Sequence, residues 1–245
     1  MQAGFPNIDL KADALLLDVD GTLIDIAPTP EEVVVPEQLR LSLHVLWDHS
    51  QGATALVSGR PLASLDSLFA PLRLPASGTH GAQLRARATS SQLEFEAPLF
   101  PDELRRELDH LGQKFAAVRI EDKRYSLAFH YRGHEALETA LVTELENRMK
   151  ALPPGFELLR GKAILEIRPQ GVNKGEAVRR LLRYAPFKGR RPVFLGDDHT
   201  DEDCLRVLPE FGGIGVAVGR DLKGAAYRVN SPEEVRHWLA QLARV

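Results

Sequence analysis

The sequence lacks several features that mark particular classes of protein. It has one cysteine, Cys204, no apolar run of membrane-spanning length and no excess of basic residues. A lone cysteine excludes an internal disulfide framework, and a membrane helix needs about 20 apolar residues. The net charge of -3 gives no reason to expect nucleic acid. Because the amino-terminal residues resemble no secretory signal, we expect a cytoplasmic protein without nucleic-acid or membrane partners.

What is present fits an enzyme with one large core or two smaller ones. The chain has 245 residues, of which 44% are hydrophobic and 27% charged. Strand and helix patterns alternate at both ends of the chain, which favours a parallel sheet with helices on both faces. The first part predicts strands at 14–17, in ATALVSGR and in LPASGTHGAQ, with helices near 37–49 and 61–69. From Asn173 the second part predicts the helix GEAVRRLLRYA, the strand PVFLG, the helix DEDCLRVL and the strand GIGVAVG.

The middle of the chain has a different order of elements. A helix near 101–115 precedes the strands AVRIEDK and YSLAFHYR, and a helix near 134–152 precedes the strands FELLRG and KAILEIRP. This order predicts a separate small α+β domain. We therefore expect a core formed by residues 1–97 and 169–245, interrupted by a domain inserted at residues 98–168.

Two carboxylates end the first predicted strand, in LLLDVDGTLID. Residues two apart in a strand point to the same side, so Asp18 and Asp20 could converge at its carboxyl end. Like charges held close together need a cation or a hydrogen-bond donor. The alternative is a pair of acids that form hydrogen bonds with their own turn.

The segment GDDHTDED provides further acidic residues after another predicted strand. Thr200 could cap the following helix, and Asp201, Glu202 and Asp203 could complement its dipole. Capping does not account for Asp197 and Asp198, which lie where open α/β sheets bind ligands. Mg²⁺, which prefers oxygen ligands, would relieve the repulsion among Asp18, Asp20 and Asp197.

Two further segments supply positive charge and hydrogen-bond donors. In VNKGEA, Asn173 and Glu176 predict a helix cap, which places Lys174 in the first turn although a lysine there opposes the helix dipole. Carboxylates or a phosphate facing Lys174 would compensate for this unfavourable position. The alternative is a solvated surface lysine. In LVSGRP, Ser58, Gly59 and Arg60 could bind an anion at a helix amino terminus, or could form an ordinary turn.

These four segments, in this order, resemble the four motifs of the haloacid dehalogenase superfamily. The resemblance implies an α/β fold with a Rossmann-like parallel-sheet core and an inserted α+β cap. It implies Asp18 as nucleophile, Asp20 as general acid and base, Lys174 as a catalytic residue, and Mg²⁺ held by Asp18, the Asp20 carbonyl and Asp197. The phosphate partners would be Ser58, Gly59 and Lys174, with Asp198 and Asp201 in supporting positions.

Longer stretches are similar to the trehalose-6-phosphate phosphatase family over nearly the whole chain. They are DGTLIDIAPTPEEVVVP, SGTHGAQ, EDKRYSLAFHYR, LEIRPQGVNKGEAV and GDDHTDED, in which His199 departs from the usual family residue. The resemblance implies hydrolysis of trehalose 6-phosphate, possible action beside a trehalose-phosphate synthase, and a sugar bound by the cap residues Glu121, Lys123, Arg132 and Glu166. Further expected substrate contacts are Arg60, His80 and Arg168.

Other functions stay open at the level of the sequence. A phosphatase for sucrose phosphate, mannosyl-3-phosphoglycerate or a monosaccharide phosphate would share every core motif, and only the cap would distinguish it. A non-catalytic sugar-phosphate sensor would be expected to lack Asp18, Asp20 or Lys174, and all three are present. A dinucleotide-dependent oxidoreductase is poorly supported, because GGIGVAVG is not a G-x-G-x-x-G pattern.

Overall fold

The computed structural model describes residues 1–26, 32–150, 154–161 and 163–244. These residues form two compact units, one of Met1–Glu96 with Asn173–Val245 and the other of Ala97–Val172. The predicted boundaries, at residues 97/98 and 168/169, differ from these by one and four residues. Among the described residues, no helix combines the length and the apolar character needed to cross a bilayer.

A large sheet forms the centre of the first unit. Its described part has nine strands: β1 Gln2–Ala3, β2 Asp13–Leu17, β3 Thr54–Val57, β4 Ala76–Gly78, β5 Gln83–Arg85, β6 Phe95–Glu96, β11 Arg191–Gly196, β12 Ile214–Val218 and β13 Tyr227–Val229. They lie in the order β1-β13-β12-β11-β2-β3-β4-β5-β6. The strands from β1 to β4 in this order run parallel, whereas β5 and β6 are antiparallel to their neighbours.

Helices cover both faces of this sheet, as expected for a buried parallel sheet. Alternate side chains of β2 enter two different apolar clusters: Leu15 and Leu17 join one, while Ala14 and Leu16 join the other. The helices of this unit are α1 Glu37–His49, α2 Leu62–Phe69, α5 Lys174–Leu181, α6 Glu202–Val207 and α7 Pro232–Leu242. Both faces of β2 are therefore buried, which explains its uninterrupted apolar sequence.

The second unit is an antiparallel sheet with two helices. Its described strands lie in the order β7-β8-β10-β9, with β7 Arg119–Asp122, β8 Leu127–His130, β9 Phe156–Gly161 and β10 Ile164–Pro169. The helices are α3 Asp102–Lys114 and α4 Glu138–Met149. One sheet face carries the core residues Leu127, Phe129, Tyr131, Leu165 and Ile167. These core residues alternate with others along the sequences YSLAFHYR and KAILEIRP.

Two local predictions need correction, and some fall outside the described residues. The predicted strand LPASGTHGAQ ends at Gly78, because Thr79 and His80 adopt positive φ values of 49° and 50°, which break the extended backbone. A short 3-10 turn and the antiparallel strand β5 follow. The helix expected from residue 134 begins with a 3-10 turn at Glu135–Leu137. Residues 27–31, 151–152 and 162 of the predicted linker, helix and strand lie outside the described residues.

Candidate active site

A buried ion-pair network lies at the carboxyl end of β2. Asp18 directly follows this strand, and its backbone N–H donates to the carbonyl of Leu195 on the neighbouring strand β11. Its Oδ1 atom accepts a hydrogen bond of 2.6 Å from Nζ of Lys174, and the same Nζ donates at 2.6 Å to Oδ1 of Asp201. All three side chains are buried. The lysine therefore connects two aspartates from distant parts of the chain.

The start of α5 explains how Lys174 reaches this position. Asn173 caps the helix, because its side chain accepts the N–H of Glu176 at 2.8 Å, as the sequence predicts. A lysine in the first turn is unfavourable for the helix dipole, but here two carboxylates compensate for it. Burial alone would lower the pKa of Lys174, but the charges of Asp18 and Asp201 raise it, so the side chain stays an ammonium.

Asp201 has a larger role than the sequence indicates. Its Oδ2 atom accepts the backbone N–H groups of Asp197 at 2.9 Å and Asp198 at 3.0 Å, while Oδ1 accepts from Lys174. The prediction that Thr200 caps the following helical turn is wrong. Asp198 is the cap, because its side chain accepts the N–H of Asp201 in a reciprocal capping box. The acidic turn is thus ordered around a fully buried carboxylate.

Asp197 lies directly against the turn that follows Asp18. Its Oδ1 atom accepts a hydrogen bond of 3.2 Å from the hydroxyl of Thr22, which is fully buried. Gly21 has a φ of +81°, and a Cβ atom at this position would lie 2.2 Å from Oδ2 of Asp197. The turn therefore requires glycine for two reasons, its backbone conformation and the close carboxylate.

The composition of this cluster fits a hard divalent cation. Carboxylate oxygens of Asp18, Asp197 and Asp201 lie within 4.8 Å of one another. Three carboxylates and the single ammonium of Lys174 leave a formal net charge of -2. Burial and the neighbouring carboxylates raise the pKa of Asp18 and of Asp197, so both anions favour a compensating cation. All-oxygen donors of this kind suit Mg²⁺.

Asp20 is not one of the three clustered carboxylates, and its side chain contacts Arg60. The guanidinium donates from Nε to Oδ2 and from Nη2 to Oδ1 of Asp20, both at 2.7 Å. The sequence predicts that Asp18 and Asp20 share a site and that Arg60 contacts substrate. In the structure, Arg60 is a bidentate partner of Asp20, whose carboxylate is partly exposed, and a contact of Arg60 with substrate stays a prediction. The backbone carbonyl of Asp20 as a metal ligand stays a prediction.

The LVSGRP segment forms a tight turn after β3. Ser58 is buried, and its Oγ atom accepts the N–H of Arg60 at 3.1 Å. His80 donates its backbone N–H to the carbonyl of Ser58, and a Cβ atom on Gly59 would lie 2.5 Å from its Nε2 atom. The absence of a side chain at Gly59 thus leaves room for the imidazole of His80, and phosphate binding by Gly59 stays a prediction. The N–H of Leu62 in the first turn of α2 donates to the side chain of Gln83.

The second unit brings some of the expected sugar-binding residues together. Glu121 and Glu166 occupy one row of its sheet, because each pairs with Ala128 on the strand between them. Nζ of Lys123 lies 3.9 Å from Oε2 of Glu166. Arg168 instead donates to Glu157 on the neighbouring strand, and Arg132 lies in an exposed turn after β8. The two glutamates and the lysine thus form the centre of the polar face.

Sequence reasoning missed three residues that contact the expected groups: Thr22 beside Asp197, and Ser126 and His130 beside the cap glutamates. Each of them could have been found from the sequence. Thr22 belongs to the DGT segment. Ser126 and His130 alternate with the buried residues of YSLAFHYR. His199 is exposed and bonds to Asp198.

The fold is that of the solved haloacid dehalogenase-like hydrolases. A solved haloacid dehalogenase-like hydrolase from Bacteroides thetaiotaomicron superposes with a TM-score of 0.67 at 17% identity, over 95% of this chain and all of the other. Within this class, the family model described as trehalose-phosphatase matches residues 16–230. The chain therefore belongs to the trehalose-phosphatase family.

Individual relatives support the assignment over the full length of the chain. The sequence is 37% identical to the trehalose-6-phosphate phosphatase of Escherichia coli strain K12, over 97% of this chain and 88% of the relative. The solved trehalose-6-phosphate phosphatase of Aspergillus fumigatus superposes with a TM-score of 0.76 at 27% identity, over 98% of this chain and 99% of the other. Core and inserted unit are thus both part of the similarity.

Proposed function

We propose that this protein is a trehalose-6-phosphate phosphatase that hydrolyses trehalose 6-phosphate to trehalose and phosphate. The observation that carries the proposal is the buried pair of Asp18 and Lys174 beside Asp197 and Asp201, in a chain of the trehalose-phosphatase family. A carboxylate nucleophile next to a fixed ammonium is suited to phosphoryl transfer through an aspartyl phosphate.

In the first step, a carboxylate oxygen of Asp18 attacks phosphorus and the bond to the sugar oxygen breaks. Lys174 and the hydroxyl of Ser58 offset the charge on the phosphoryl oxygens, and Asp20 protonates the departing oxygen. In the second step, water attacks the phosphoaspartate while Asp20 takes the proton from that water. Asp18 is regenerated, and the products are trehalose and inorganic phosphate.

Mg²⁺ is the cofactor that these residues would hold. Asp18 and Asp197 are the proposed carboxylate ligands, with the backbone carbonyl of Asp20, and Asp201 lies close enough to contribute. A bound divalent cation supplies electrostatic stabilisation of the phosphoryl oxygens. Asp201 and Asp198 also hold the turn that presents Asp197.

The polar face of the inserted unit is the proposed sugar-recognition surface. Glu121 and Glu166 can accept hydrogen bonds from sugar hydroxyls, and Lys123 and Arg132 can donate to sugar oxygens. Arg168 is bonded to Glu157, so a contact with the substrate would require it to exchange partners. Arg60 and His80, beside Ser58, are proposed contacts nearer the phosphate. Action in the cytoplasm beside a trehalose-phosphate synthase is part of the same proposal.

The decisive experiment measures phosphate release from a panel of sugar phosphates, with Mg²⁺ and with a chelator. The panel contains trehalose 6-phosphate, sucrose 6-phosphate, mannosyl-3-phosphoglycerate and glucose 6-phosphate. We expect the highest kcat/KM for trehalose 6-phosphate and no turnover in the chelator. Preference for another member would assign the protein to that substrate instead, and binding without turnover in Mg²⁺ would indicate a sensor.

A further inference from the structure

Strand β8, which lies between β7 and β10 in the inserted unit's sheet, has two polar side chains near the expected sugar-binding carboxylates. Ala128 on β8 pairs with Glu121 on β7 and with Glu166 on β10. Ser126 precedes Ala128 by two residues and His130 follows it by two, so these side chains share the face of the two glutamates. Ser126 and His130 therefore place one hydrogen-bond donor from the β8 segment near each carboxylate.

The first contact joins His130 to Glu121. Nε2 of the imidazole lies 2.8 Å from Oε2 of the carboxylate. Partial burial alone would raise the pKa of Glu121, but the bond to His130 and the nearby charges lower it, so this carboxylate is ionised at neutral pH. An ionised carboxylate only accepts hydrogen bonds, and so Nε2 carries the proton and donates.

The second contact joins Ser126 to Glu166. The hydroxyl of Ser126 donates to Oε1 of Glu166 at 2.5 Å, and Ser126 is buried. On the other carboxylate oxygen, Nζ of Lys123 lies 3.9 Å from Oε2. Hydrogen bonds to a charged acceptor are shorter and stronger than neutral ones. Ser126 is thus well placed to fix the rotamer of this glutamate.

We propose that His130 and Ser126 are positioning residues that hold Glu121 and Glu166 as a matched pair of acceptors for sugar hydroxyls. This inference rests on the proposed function and adds to it the residues that orient the recognition surface. Each contact engages one oxygen of a carboxylate that has two, so an acceptor atom on each glutamate can serve a substrate hydroxyl. A free glutamate side chain loses rotamer entropy on binding, and fixing it beforehand avoids that loss.

Kinetics of His130 variants test the proposal with two substrates. His130→Phe removes the donor and keeps a ring, whereas His130→Gln keeps an N–H at a comparable distance from the backbone. For trehalose 6-phosphate we expect His130→Phe to raise KM about tenfold or more with a smaller change in kcat, as for a lost bond to a charged group. His130→Gln should restore most of the loss. Hydrolysis of p-nitrophenyl phosphate, which has no sugar, should change less than twofold in both variants.

Ser126 is tested in the same way, with Ser126→Ala as the disruptive change and Ser126→Thr as the conservative one.

A double-mutant cycle shows whether His130 acts through Glu121. In the Glu121→Gln background, His130→Phe should add little to the increase in KM. If His130→Phe raises KM as much in the Glu121→Gln background as it does in the unaltered protein, the positioning role is wrong. Equal losses of activity toward trehalose 6-phosphate and p-nitrophenyl phosphate would also overturn it.

The failure of this inference can be distinguished from failure of the proposed function. If the unaltered protein shows no preference for trehalose 6-phosphate over p-nitrophenyl phosphate, the proposed function is wrong. If it shows the preference and both His130→Phe and Ser126→Ala keep it, the proposed function stands and the positioning role is wrong.

Discussion

Arg60 holds both carboxylate oxygens of Asp20, with Nε and Nη2 each 2.7 Å from its acceptor. This bidentate pair fixes the direction of a side chain that lies two residues after the proposed nucleophile. To transfer a proton to or from the reacting oxygen, Asp20 must exchange its contact with Arg60 for one with substrate or water. Arg60 follows Ser58 by two residues, so the exchange would take place beside the proposed phosphate site.

Asp20→Asn should separate the two chemical steps. With p-nitrophenyl phosphate, whose leaving group needs little protonation, Asp18 should still be phosphorylated, but water attack would lack its base. We expect a stoichiometric burst of nitrophenolate followed by a steady rate reduced about a hundredfold or more. Rapid-quench kinetics measure both phases.

Asp25→Asn is the matched control for this variant. Asp25 belongs to the same loop and also pairs with an arginine, Arg236, at 3.1 Å, but it is largely exposed. Its replacement should leave kcat unchanged. A steady rate near normal in Asp20→Asn would show that Asp20 is not the general base.

Asp18→Asn should abolish phosphate release and the burst together, because an amide is a very weak nucleophile toward phosphorus. The fold should persist, since Lys174 keeps its 2.6 Å hydrogen bond to Asp201. Phosphate release and circular dichroism measure the two properties. Asp13→Asn, at the opposite end of β2, removes the buried partner of Arg191 and should lower stability while the folded fraction keeps its kcat. Substantial turnover in Asp18→Asn would contradict the nucleophile assignment.

Local sequence patterns predicted the elements of the core and the residues at their ends. The apolar run before Asp18 indicated a strand buried on both faces, and β2 is such a strand. Asn173 indicated a helix start, which places Lys174 at the edge of the sheet. These predictions succeed because the carboxyl ends of parallel strands gather at one edge, whatever the connections between them.

Partners that depend on tertiary packing were not predictable in this way. Lys174 and Asp201 are 27 residues apart, and Arg60 and Asp20 are 40 apart. Hydrophobic periodicity tells which face a residue occupies but not which polar group it contacts. The positive φ of His80, which ends the β4 segment early, likewise depends on its packing against Gly59 and its bond to Ser58.

Gly21→Ala should weaken the binding of Mg²⁺ specifically. The added Cβ would lie 2.2 Å from Oδ2 of Asp197, so this carboxylate must move away from its position beside Asp18. We expect a higher Mg²⁺ concentration for half-maximal activity, by about tenfold, and a lower kcat. Gly189→Ala is the matched control, because its φ of +83° is nearly the same and no atom lies within 4 Å of its Cβ position. If both variants respond equally to Mg²⁺, backbone strain alone explains the effect.

Asp66→Asn should destabilise the core without affecting the proposed chemistry. Arg85 is buried and donates to both carboxylate oxygens of Asp66, at 2.7 and 2.6 Å. Removal of the anion leaves the buried guanidinium with neutral acceptors such as the carbonyl of Leu74. Because Asp66 is partly exposed, we expect this to cost about 2–3 kcal/mol. Urea unfolding near neutral pH measures this loss. Asp102→Asn, whose carboxylate is 93% exposed beside Arg105, should change stability by less than about 0.5 kcal/mol.

The pair of Asp66 and Arg85 also predicts how stability depends on pH. Partial burial would raise the pKa of Asp66, but the bonds from Arg85 and Arg73 lower it below the ordinary value of 3.8. A carboxyl with a lowered pKa in the folded state contributes its stability above the unfolded value and loses it as pH falls through the folded value. The stability difference between the unaltered protein and Asp66→Asn should therefore be constant above about pH 5 and shrink below pH 3.8. A difference that grows on acidification would show that folding raises the pKa of Asp66 and would contradict this prediction.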